Sequence, residues 1–359
     1  MKRELQYTSP GRFAVLLAVM LIGISLGSLA LGASESVGLS ETLRGLLAFL
    51  GLGEPLSGAQ QTIAELRIHK LLTSIGVGAA LALSGALFQG VFRNQLASPS
   101  IIGVTAGASL GASLMIIVVS GSARGFFMAE GIAGSGPLLI SLAAFAGALI
   151  STAIVTMFAT TAGRISVPTL LLAGIAVNAI VGGGIAAIQR FAVEEADLMR
   201  ALMTWTFGRL DDRSAYHVVT IWTGLAGAIV LIPRVARELD LFASGEEDAH
   251  SLGVNTVRVK AMALVGGALC AALAVSVAGQ IAFVGLITPH ILRRMCGSSH
   301  RHLLWLSLLG GPVLLCGADL IQRLIVGRAA LPPGVVMSLL GGPFFLMLLL
   351  RNRSSVEAW

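Results

Sequence analysis

The segment 107–111 carries the one pattern in this sequence that suggests a catalytic nucleophile. It reads Gly107-Ala-Ser109-Leu-Gly111 and fits G-x-S-x-G, which holds a reactive serine on a strand-to-helix turn. His290 would then be the candidate base of an intramembrane protease. The motif lies inside an apolar segment, however, and Gly103, Gly107 and Gly111 recur every four residues. That spacing is typical of closely packed membrane helices, so packing is the favoured interpretation.

A second candidate for chemistry is Asp319, the only acid within a predicted span. An acid in a membrane could relay protons in an ion-coupled secondary transporter. Arg323 follows four residues later, so the two side chains share one helix face and can pair. We favour a structural pair and leave the proton relay as the alternative. His300 and His302, which flank Arg301, give only a weak metal or haem signal.

The lysines and cysteines exclude two other kinds of site. A phosphate-binding P-loop needs Gly-Lys-Ser/Thr, but the only lysines, Lys2, Lys70 and Lys260, follow Met, His and Val. The chain therefore cannot bind ATP through such a loop. Three cysteines lie in or beside apolar runs without the spacing of a metal site, and we predict that they pack inertly: Cys270, Cys296 and Cys316.

The composition indicates which elements must hold these residues. Hydrophobic residues make up 55% of the 359, charged residues only 12%, and the mean hydropathy is +0.88. Soluble domains carry about 25% charged residues. The chain is therefore predicted to be an all-α polytopic membrane protein, one domain over 1–359. Ten apolar segments could span a bilayer, at roughly 13–33, 69–92, 101–120, 137–160, 168–190, 215–233, 257–278, 280–296, 303–326 and 334–350.

The distribution of positive charge predicts the orientation. With ten spans and a short cytoplasmic tail at 1–12, 14 of the 24 Lys and Arg residues fall inside, as the positive-inside rule requires. The net charge of +6 is thus explained by the membrane, and no nucleic-acid partner is expected. Outside, 39–52 is predicted to form a surface helix, and 191–214 a second loop.

One polar segment, 244–255, interrupts the hydrophobic half of the chain on the predicted cytoplasmic side. Ser244 and Glu247 have the spacing of a capping box, and Gly253 stands where a helix would stop. The pattern predicts a helix of about two turns, too short to span a bilayer. A short capped helix between two spans suggests a docking point for another protein.

Several stretches resemble the FecCD-like permeases, the membrane subunits of ABC importers for iron complexes and cobalamin. The first is RIHKLLTSIGVGAALALSGALFQGVFRNQLASPSIIGVTAGASLGA at 67–112. The others are GRISVPTLLLAGIAVNA at 163–179, LGVNTVRVK at 252–260, VAGQIAFVGLITPHILRRMCGSSHRHLL at 277–304, and ADLIQR and LPPGVV within 318–336. The resemblance covers about 60–350 in the family's order.

This resemblance implies a type II ABC importer permease with ten helices in the bacterial inner membrane. The expected partners are a second copy of the chain, two ATP-binding subunits, a periplasmic substrate-binding protein and membrane lipid. No cofactor is expected in this chain, because ATP and Mg would be bound by the ATPase, and no catalytic residue is expected. The implied function is import of an iron chelate, a ferric siderophore first, with haem or cobalamin as alternatives.

The resemblance also assigns roles to particular residues. The segment 244–253 corresponds to the family's ATPase-coupling helix, where the acids would meet basic groups and the apolar residues would pack: Glu246, Glu247, Asp248, Ala249, Leu252 and Gly253. Asn94, Leu96, Ser166 and Val167 match a cytoplasmic gate, although Gln95 replaces the usual Pro. Cations at the outer ends of spans match binding-protein docking sites: Arg67, Lys70 and Arg328. His69 stands where the family commonly has Pro.

Overall fold

The computed structural model describes residues 9–31, 37–49, 51–54, 56–120, 136–161, 164–327 and 331–351. Within these ranges the chain forms helices joined by short connections: α1 (Pro10–Ala30), α2 (Leu39–Phe49), α3 (Gly58–Phe92), α4 (Val104–Val119), α5 (Gly136–Ala159), α6 (Val167–Ala192), α7 (Ala196–Thr206), α8 (Ala215–Phe242), α9 (Glu246–Ser251), α10 (Thr256–Ala278), α11 (Val284–Cys296), α12 (His300–Val326) and α13 (Pro333–Arg351). A 3-10 turn, Pro99–Ile102, precedes α4, and two-residue strands β1 (Thr160–Thr161) and β2 (Arg164–Ile165) pair antiparallel between α5 and α6.

Each of the ten predicted apolar segments coincides with a helix. Seven helices of the described chain are long and apolar enough to cross a membrane, and α4 and α13 are shorter apolar helices. The eighth segment, predicted from 280, differs because α11 begins only at Val284 and has 13 residues. Gly279 and Phe283 have positive φ angles of 73° and 65°, which break the helix between α10 and α11. At 1.5 Å per residue α11 is only about 20 Å long.

The helix α3 forms the centre of the molecule. In its most apolar window 89% of the residues are buried, against 6% for α6. Glycines allow the neighbouring backbones to approach α3 closely: a Cβ on Gly85 would lie 1.8 Å from the carbonyl oxygen of Gly285 in α11. A Cβ on Gly78 would lie 2.8 Å from that of Gly311 in α12. Small residues thus set the spacing of the core, as in other membrane bundles.

The glycines of the G-x-S-x-G motif have the same packing function. A Cβ on Gly107 would lie 2.3 Å from the carbonyl oxygen of Gly147 in α5, and one on Gly111 would lie 2.1 Å from that of Ala143. Ser109 is a buried residue within α4 and donates to the carbonyl oxygen of Thr105 at 2.8 Å. The interpretation of this motif as a helix-packing face is confirmed.

Three helices of the described chain lie outside the ten segments, α2, α7 and the short α9. The surface helix predicted at 39–52 is present as α2, Leu39–Phe49. The segment 191–214, predicted as a loop, instead contains α7, whose Leu198 and Leu202 are buried. These leucines lie four residues apart with Arg200 between them, an amphipathic pattern too short to predict a span.

Candidate functional site

The polar segment 244–253 forms a single short helix, α9. Gly245 occupies its N-cap with a φ angle of 143°, and Gly253, with φ of 82°, follows its end. The predicted capping box of Ser244 and Glu247 is wrong, because the helix begins one residue later than the box requires and Gly245 offers no side chain. The helix spans six residues, Glu246–Ser251, close to the predicted length of about two turns. Its termination at Gly253 is as predicted.

Contacts within the chain hold α9 rigidly against its neighbours. Lys260 of α10, whose side chain is 8% exposed, reaches Glu246 at 2.6 Å. The same ammonium lies 5.6 Å from the ring centroid of Phe242, the last residue of α8. Ala249 is fully buried. Two residues of the predicted docking set, the acid Glu246 and the apolar Ala249, therefore make contacts within the chain.

The rest of that set faces outward. Glu247, Asp248 and Gly253 are exposed, and Leu252 exposes 64% of its surface. A large apolar side chain at the end of α9, beside two exposed carboxylates, forms a compact surface that another protein can bind.

The loop 93–99 follows α3 and has a defined turn structure. Arg93 ends α3 in the left-handed region, with φ of 51°. Asn94 then accepts the backbone N–H of Leu96 through its side-chain oxygen at 2.8 Å, and its carbonyl accepts that of Ala97 at 3.1 Å. An asparagine that bonds to its own backbone two residues on stabilises a turn without proline. The loop is therefore ordered with Gln95 in place of the family's Pro.

Ser166 and Val167 lie where the chain enters α6. The Ser166 hydroxyl caps the helix, 3.4 Å from the backbone nitrogen of Thr169, and Val167 is half-buried against the core. The structure does not show direct bonding between these residues and loop 93–99. A different residue connects α6 to the 3-10 turn that follows this loop. The side-chain amide of Asn178 in α6 donates to the carbonyl oxygen of Ser100 at 3.0 Å. Sequence reasoning missed Asn178, although a polar residue in an apolar span was a signal for it.

A cavity of about 830 Å³ lies beside loop 93–99. Its walls come from α3, α4, α10, α13, the 3-10 turn and the connection from α10 to α11. Leu96 lies in its lining, and the polar groups there are neutral: Ser98, Ser100, Thr105, Thr206, Gln280 and Ser338. Since none of the described residues that line it is charged, a solute in this cavity would meet hydroxyls, an amide and aliphatic surface.

Lys70, one of the predicted outer cations, belongs to a network of charges. Asp319 contacts Arg323 on the same face of α12, and its carboxylate lies 3.6 Å from the ammonium of Lys70 in α3. Lys70 also pairs with Asp211, in the connection between α7 and α8. The Lys70 side chain is 11% exposed. Two carboxylates thus hold Lys70 and join three parts of the chain.

Arg67, one turn before Lys70, bonds to the end of α1, to α2 and to a residue of the connection between them. Its guanidinium donates to the carbonyl oxygens of Leu29 and Val37 at 3.0 and 2.8 Å, and to the hydroxyl of Thr42 at 3.2 Å. Arg328, the third predicted docking cation, lies outside the described residues.

Asp211 is the member of this network that lies in a connection between helices. Burial acts to raise the pKa of Asp211, but the Lys70 ammonium, and more weakly Arg323 and Arg209, outweigh it. The net effect lowers the pKa of Asp211 below its ordinary 3.8, so the carboxylate stays charged at any physiological pH.

The geometry does not support a protease. Gln280 donates its side-chain amide to Ser109, and neither ring nitrogen of the buried His290 has a hydrogen-bond partner among the described residues. A nucleophile and its base must lie within hydrogen-bond reach of each other. Among all the residues that the structure describes, no three His, Cys, Asp or Glu side chains are grouped as metal ligands would be.

Comparison with known proteins identifies the family. Residues 12–351 match the FecCD transport family. The chain belongs to this family. Among curated relatives, the cobalamin import permease of Halobacterium salinarum is 39% identical over 82% of this chain and 74% of its own length. The hemin transport permease of Yersinia pestis is 36% identical over 80% and 83% of the two chains, and the Fe(3+)-citrate import permease of Bacillus subtilis is 32% identical over 95% of each.

A solved structure supports the same assignment for this FecCD chain. A transporter described as of the metal-chelate ABC type, in an inward-facing conformation, superposes with a TM-score of 0.76 at 25% identity, covering 95% of this chain and 99% of that one. The FecCD chain is therefore an ABC importer permease, a multi-pass membrane subunit without catalytic activity. Permeases of this family work with an ATPase and a substrate-binding protein.

Proposed function

We propose that this FecCD permease imports an iron chelate, a ferric siderophore, across the bacterial inner membrane. Two copies of the chain form the permease, two ATPase subunits bind at α9, and a periplasmic binding protein delivers the chelate. The observation that carries the proposal is the braced helix α9, which presents Leu252 outward while Lys260 and Phe242 fix its position. The chain has no P-loop, so it must receive mechanical work from an ATPase through such a surface.

The neutral cavity supports translocation of a bulky polar solute. A volume of about 830 Å³ is in the range of pockets for organic ligands. Its hydroxyls and amide can replace water around a chelate without an ion pair that would hold it in place. Weak binding is what a pathway requires, since a solute must leave as readily as it enters.

A second copy of the chain has a natural place beside this cavity. α13 contributes Ser338 and Leu339 to the lining and exposes Leu340 and Leu346. Separately, α6 is the least buried of the long apolar helices and exposes Leu172 and Ile180. Two copies that meet through these helices would enclose a pathway between them. Asn94, Leu96, Ser166 and Val167 would then narrow its cytoplasmic end.

Docking of the binding protein at Arg67, Lys70 and Arg328 remains part of this proposal. The contacts of Lys70 with Asp211 and Asp319, and of Arg67 with backbone carbonyls, indicate that these two cations shape the outer surface from within. An ion-coupled mechanism has less support, because Asp319 is engaged by two cations, Arg323 on the same helix and Lys70 of α3.

Haem and cobalamin are the second candidates, favoured by the named substrates of the hemin and cobalamin relatives. Uptake into proteoliposomes containing the assembled transporter distinguishes the three. We expect ATP-dependent uptake of a ferric siderophore labelled with radioactive iron, and little uptake of haem or cyanocobalamin under the same conditions. Preferential uptake of either of the latter would replace the siderophore assignment. Uptake that persists without ATP and collapses with the proton gradient would overturn the importer mechanism.

Replacement of Leu252 by Glu tests the docking surface. We expect Leu252→Glu to abolish the ATP hydrolysis that substrate-loaded binding protein stimulates, because a carboxylate would replace the apolar contact beside Glu247 and Asp248. The matched control is Leu52→Glu, an equally exposed leucine in the connection between α2 and α3. Stimulated hydrolysis that survives Leu252→Glu would show that the ATPase docks elsewhere.

A further inference from the structure

Asp240 makes an unusual set of contacts at the cytoplasmic end of α8. This carboxylate lies two residues before α8 ends and accepts the hydroxyl of Ser299 at 2.9 Å, the backbone N–H of His300, and that of Arg301 at 3.4 Å. His300 is the first residue of α12, and Ser299 makes no side-chain cap to its own helix. The N-terminus of α12 is therefore capped by a carboxylate from α8, the charge that a helix N-terminus favours.

His300 extends this contact from α8 to α3. Its Nδ1 lies 3.0 Å from the Asp240 carboxylate. On the other side of the ring, Nε2 lies 3.0 Å from the position a Cβ would take on Gly90. Gly90 lies two residues before the end of α3, immediately ahead of loop 93–99. The His300 side chain is 8% exposed, so its ring is packed between the two helices.

The same end of α8 is attached to α9. Phe242 follows Asp240 by two residues and lies under the Lys260 ammonium that holds Glu246 of α9. A displacement of α9 is thus transmitted to the last turn of α8. From there the contacts run through Asp240 and His300 to Gly90 and the loop that lines the cavity. Closely packed interiors transmit displacement because they have little free volume to absorb it.

We propose that Asp240 and His300 are positioning residues that couple the movement of α9 to loop 93–99. This inference rests on the proposed roles of α9 in ATPase docking and of Leu96 in the gate. Without the Asp240 carboxylate, α8 and α9 move while the α12 terminus and Gly90 stay behind. ATP hydrolysis then continues, but loop 93–99 beside the cavity no longer moves with it.

The test measures how accessible residue 96 is to a water-soluble labelling reagent. It does not require the transported chelate to be known. The transporter is assembled with its ATPase subunits from a chain carrying Leu96→Cys, with Cys270, Cys296 and Cys316 replaced by Ala. A membrane-impermeant maleimide labels this cysteine in the nucleotide-free state and in the state trapped with ATP and vanadate. We expect the two labelling rates to differ in this parent. Equal rates would overturn the gating role of Leu96 and the link with it.

Asp240→Ala and His300→Ala are then compared with this parent. We expect ATP hydrolysis within about twofold of the parent, while the ratio of the two labelling rates falls about threefold or more toward unity. Asn255→Ala is the matched control, because its side-chain oxygen caps α10 at Arg258, at 3.0 Å, without reaching α12 or α3. A purely structural role would lower the yield of folded transporter and its hydrolysis together, leaving the ratio per molecule unchanged. That result would overturn the proposal.

Two further variants separate this inference from the docking proposal. Asp240→Asn keeps an acceptor oxygen and should retain part of the labelling ratio, so it serves if the alanine variant does not fold. An unaltered ratio in Asp240→Asn and His300→Ala together would refute the link. In the same assay, Leu252→Glu should abolish both hydrolysis and the response at residue 96. If Leu252→Glu has this effect and the Asp240 variants do not, α9 docking stands and the link fails.

Discussion

Lys70 illustrates how a side chain at a membrane edge acquires its role from its neighbours. A lysine near the outer end of a span suggests either an interface anchor or a docking charge. In the folded chain it lies between Asp211 and Asp319, and only 11% of its side chain is exposed. Its contacts join α3, α12 and the connection after α7. The ammonium therefore fixes the outer ends of these elements relative to one another.

The lowered pKa of Asp211 gives this network a defined pH dependence. Because the folded value lies below the ordinary 3.8, the ion pair with Lys70 stabilises the fold above that pH and is lost as the pH falls through the folded value. We expect Asp211→Asn to lower the thermal midpoint of the detergent-solubilised protein equally from pH 7 to about pH 5. In stronger acid the difference between variant and parent should disappear.

Differential scanning fluorimetry of parent and variant over this range measures the effect. Asp197→Asn is the control, since its carboxylate is 99% exposed and lies 3.8 Å from Arg200. A difference between parent and Asp211→Asn that stays constant down to pH 3 would contradict the assigned ion pair.

At the scale of elements, backbone contacts between helices decide the architecture more than side-chain chemistry does. α3 is buried because its glycines let α11 and α12 approach closely. A Cβ on Gly85 would lie 1.8 Å from a backbone oxygen of α11, and one on Gly78 would lie 2.8 Å from a backbone oxygen of α12. Lipid offers no hydrophobic driving force between helices, so close packing must supply much of the attraction. The same reasoning explains why α11 can be short, since its Gly285 is fixed against Gly85.

Gly85→Ala tests this closely packed contact. An added Cβ would lie 1.8 Å from a backbone oxygen, and neither helix can yield without displacing the core. We expect a loss of about 3 kcal/mol in the free energy of unfolding, at the upper end of the usual cost of overpacking. Thermal denaturation in detergent provides the measurement.

Gly182→Ala is the matched control within the membrane. No atom lies within 4 Å of the position its Cβ would take, and alanine favours the helix by about 1 kcal/mol over glycine. We expect this variant to be as stable as the parent or slightly more so. Equal stability of Gly85→Ala and Gly182→Ala would contradict the packing argument.

At the scale of the whole molecule, the buried helices α3 and α10 form a core surrounded by helices with exposed apolar faces. Those faces meet either lipid or a second copy of the chain. The cavity is bounded by α13, and α6 is the least buried of the long apolar helices, so we propose that a second copy completes a pathway by packing against these two helices. In that arrangement the face of α5, which exposes Leu142 and Ile150, would be left to lipid.

Crosslinking distinguishes these two faces. In a background with the three native cysteines replaced by Ala, we expect Ile180→Cys in α6 to be linked between two chains by a short bismaleimide. Leu142→Cys in α5, which is comparably accessible, should remain monomeric under the same conditions. Native mass spectrometry of the assembled transporter should show two copies of the chain. Crosslinking through α5 but not α6 would place the second copy on the opposite side.

The sequence by itself determined the membrane class, the positions of the apolar helices, the short helix after α8 and the family. These depend on composition, on runs of apolar residues and on motifs, all of which are local along the chain. Gly253 was visible as a helix stop, whereas the late start of α11 was not, because Phe283 adopts a positive φ that no propensity predicts.

Only the tertiary structure decided which partners each polar residue meets. Glu246 is paired with Lys260, fourteen residues away along the chain, and Asp240 caps a helix that begins sixty residues later. Such contacts are fixed by how helices pack, and nothing in the local sequence around either acid encodes them. Leu252 remained exposed for the complementary reason, since the packing that buried Ala249 on one side of α9 left Leu252 64% exposed within the described part of the chain.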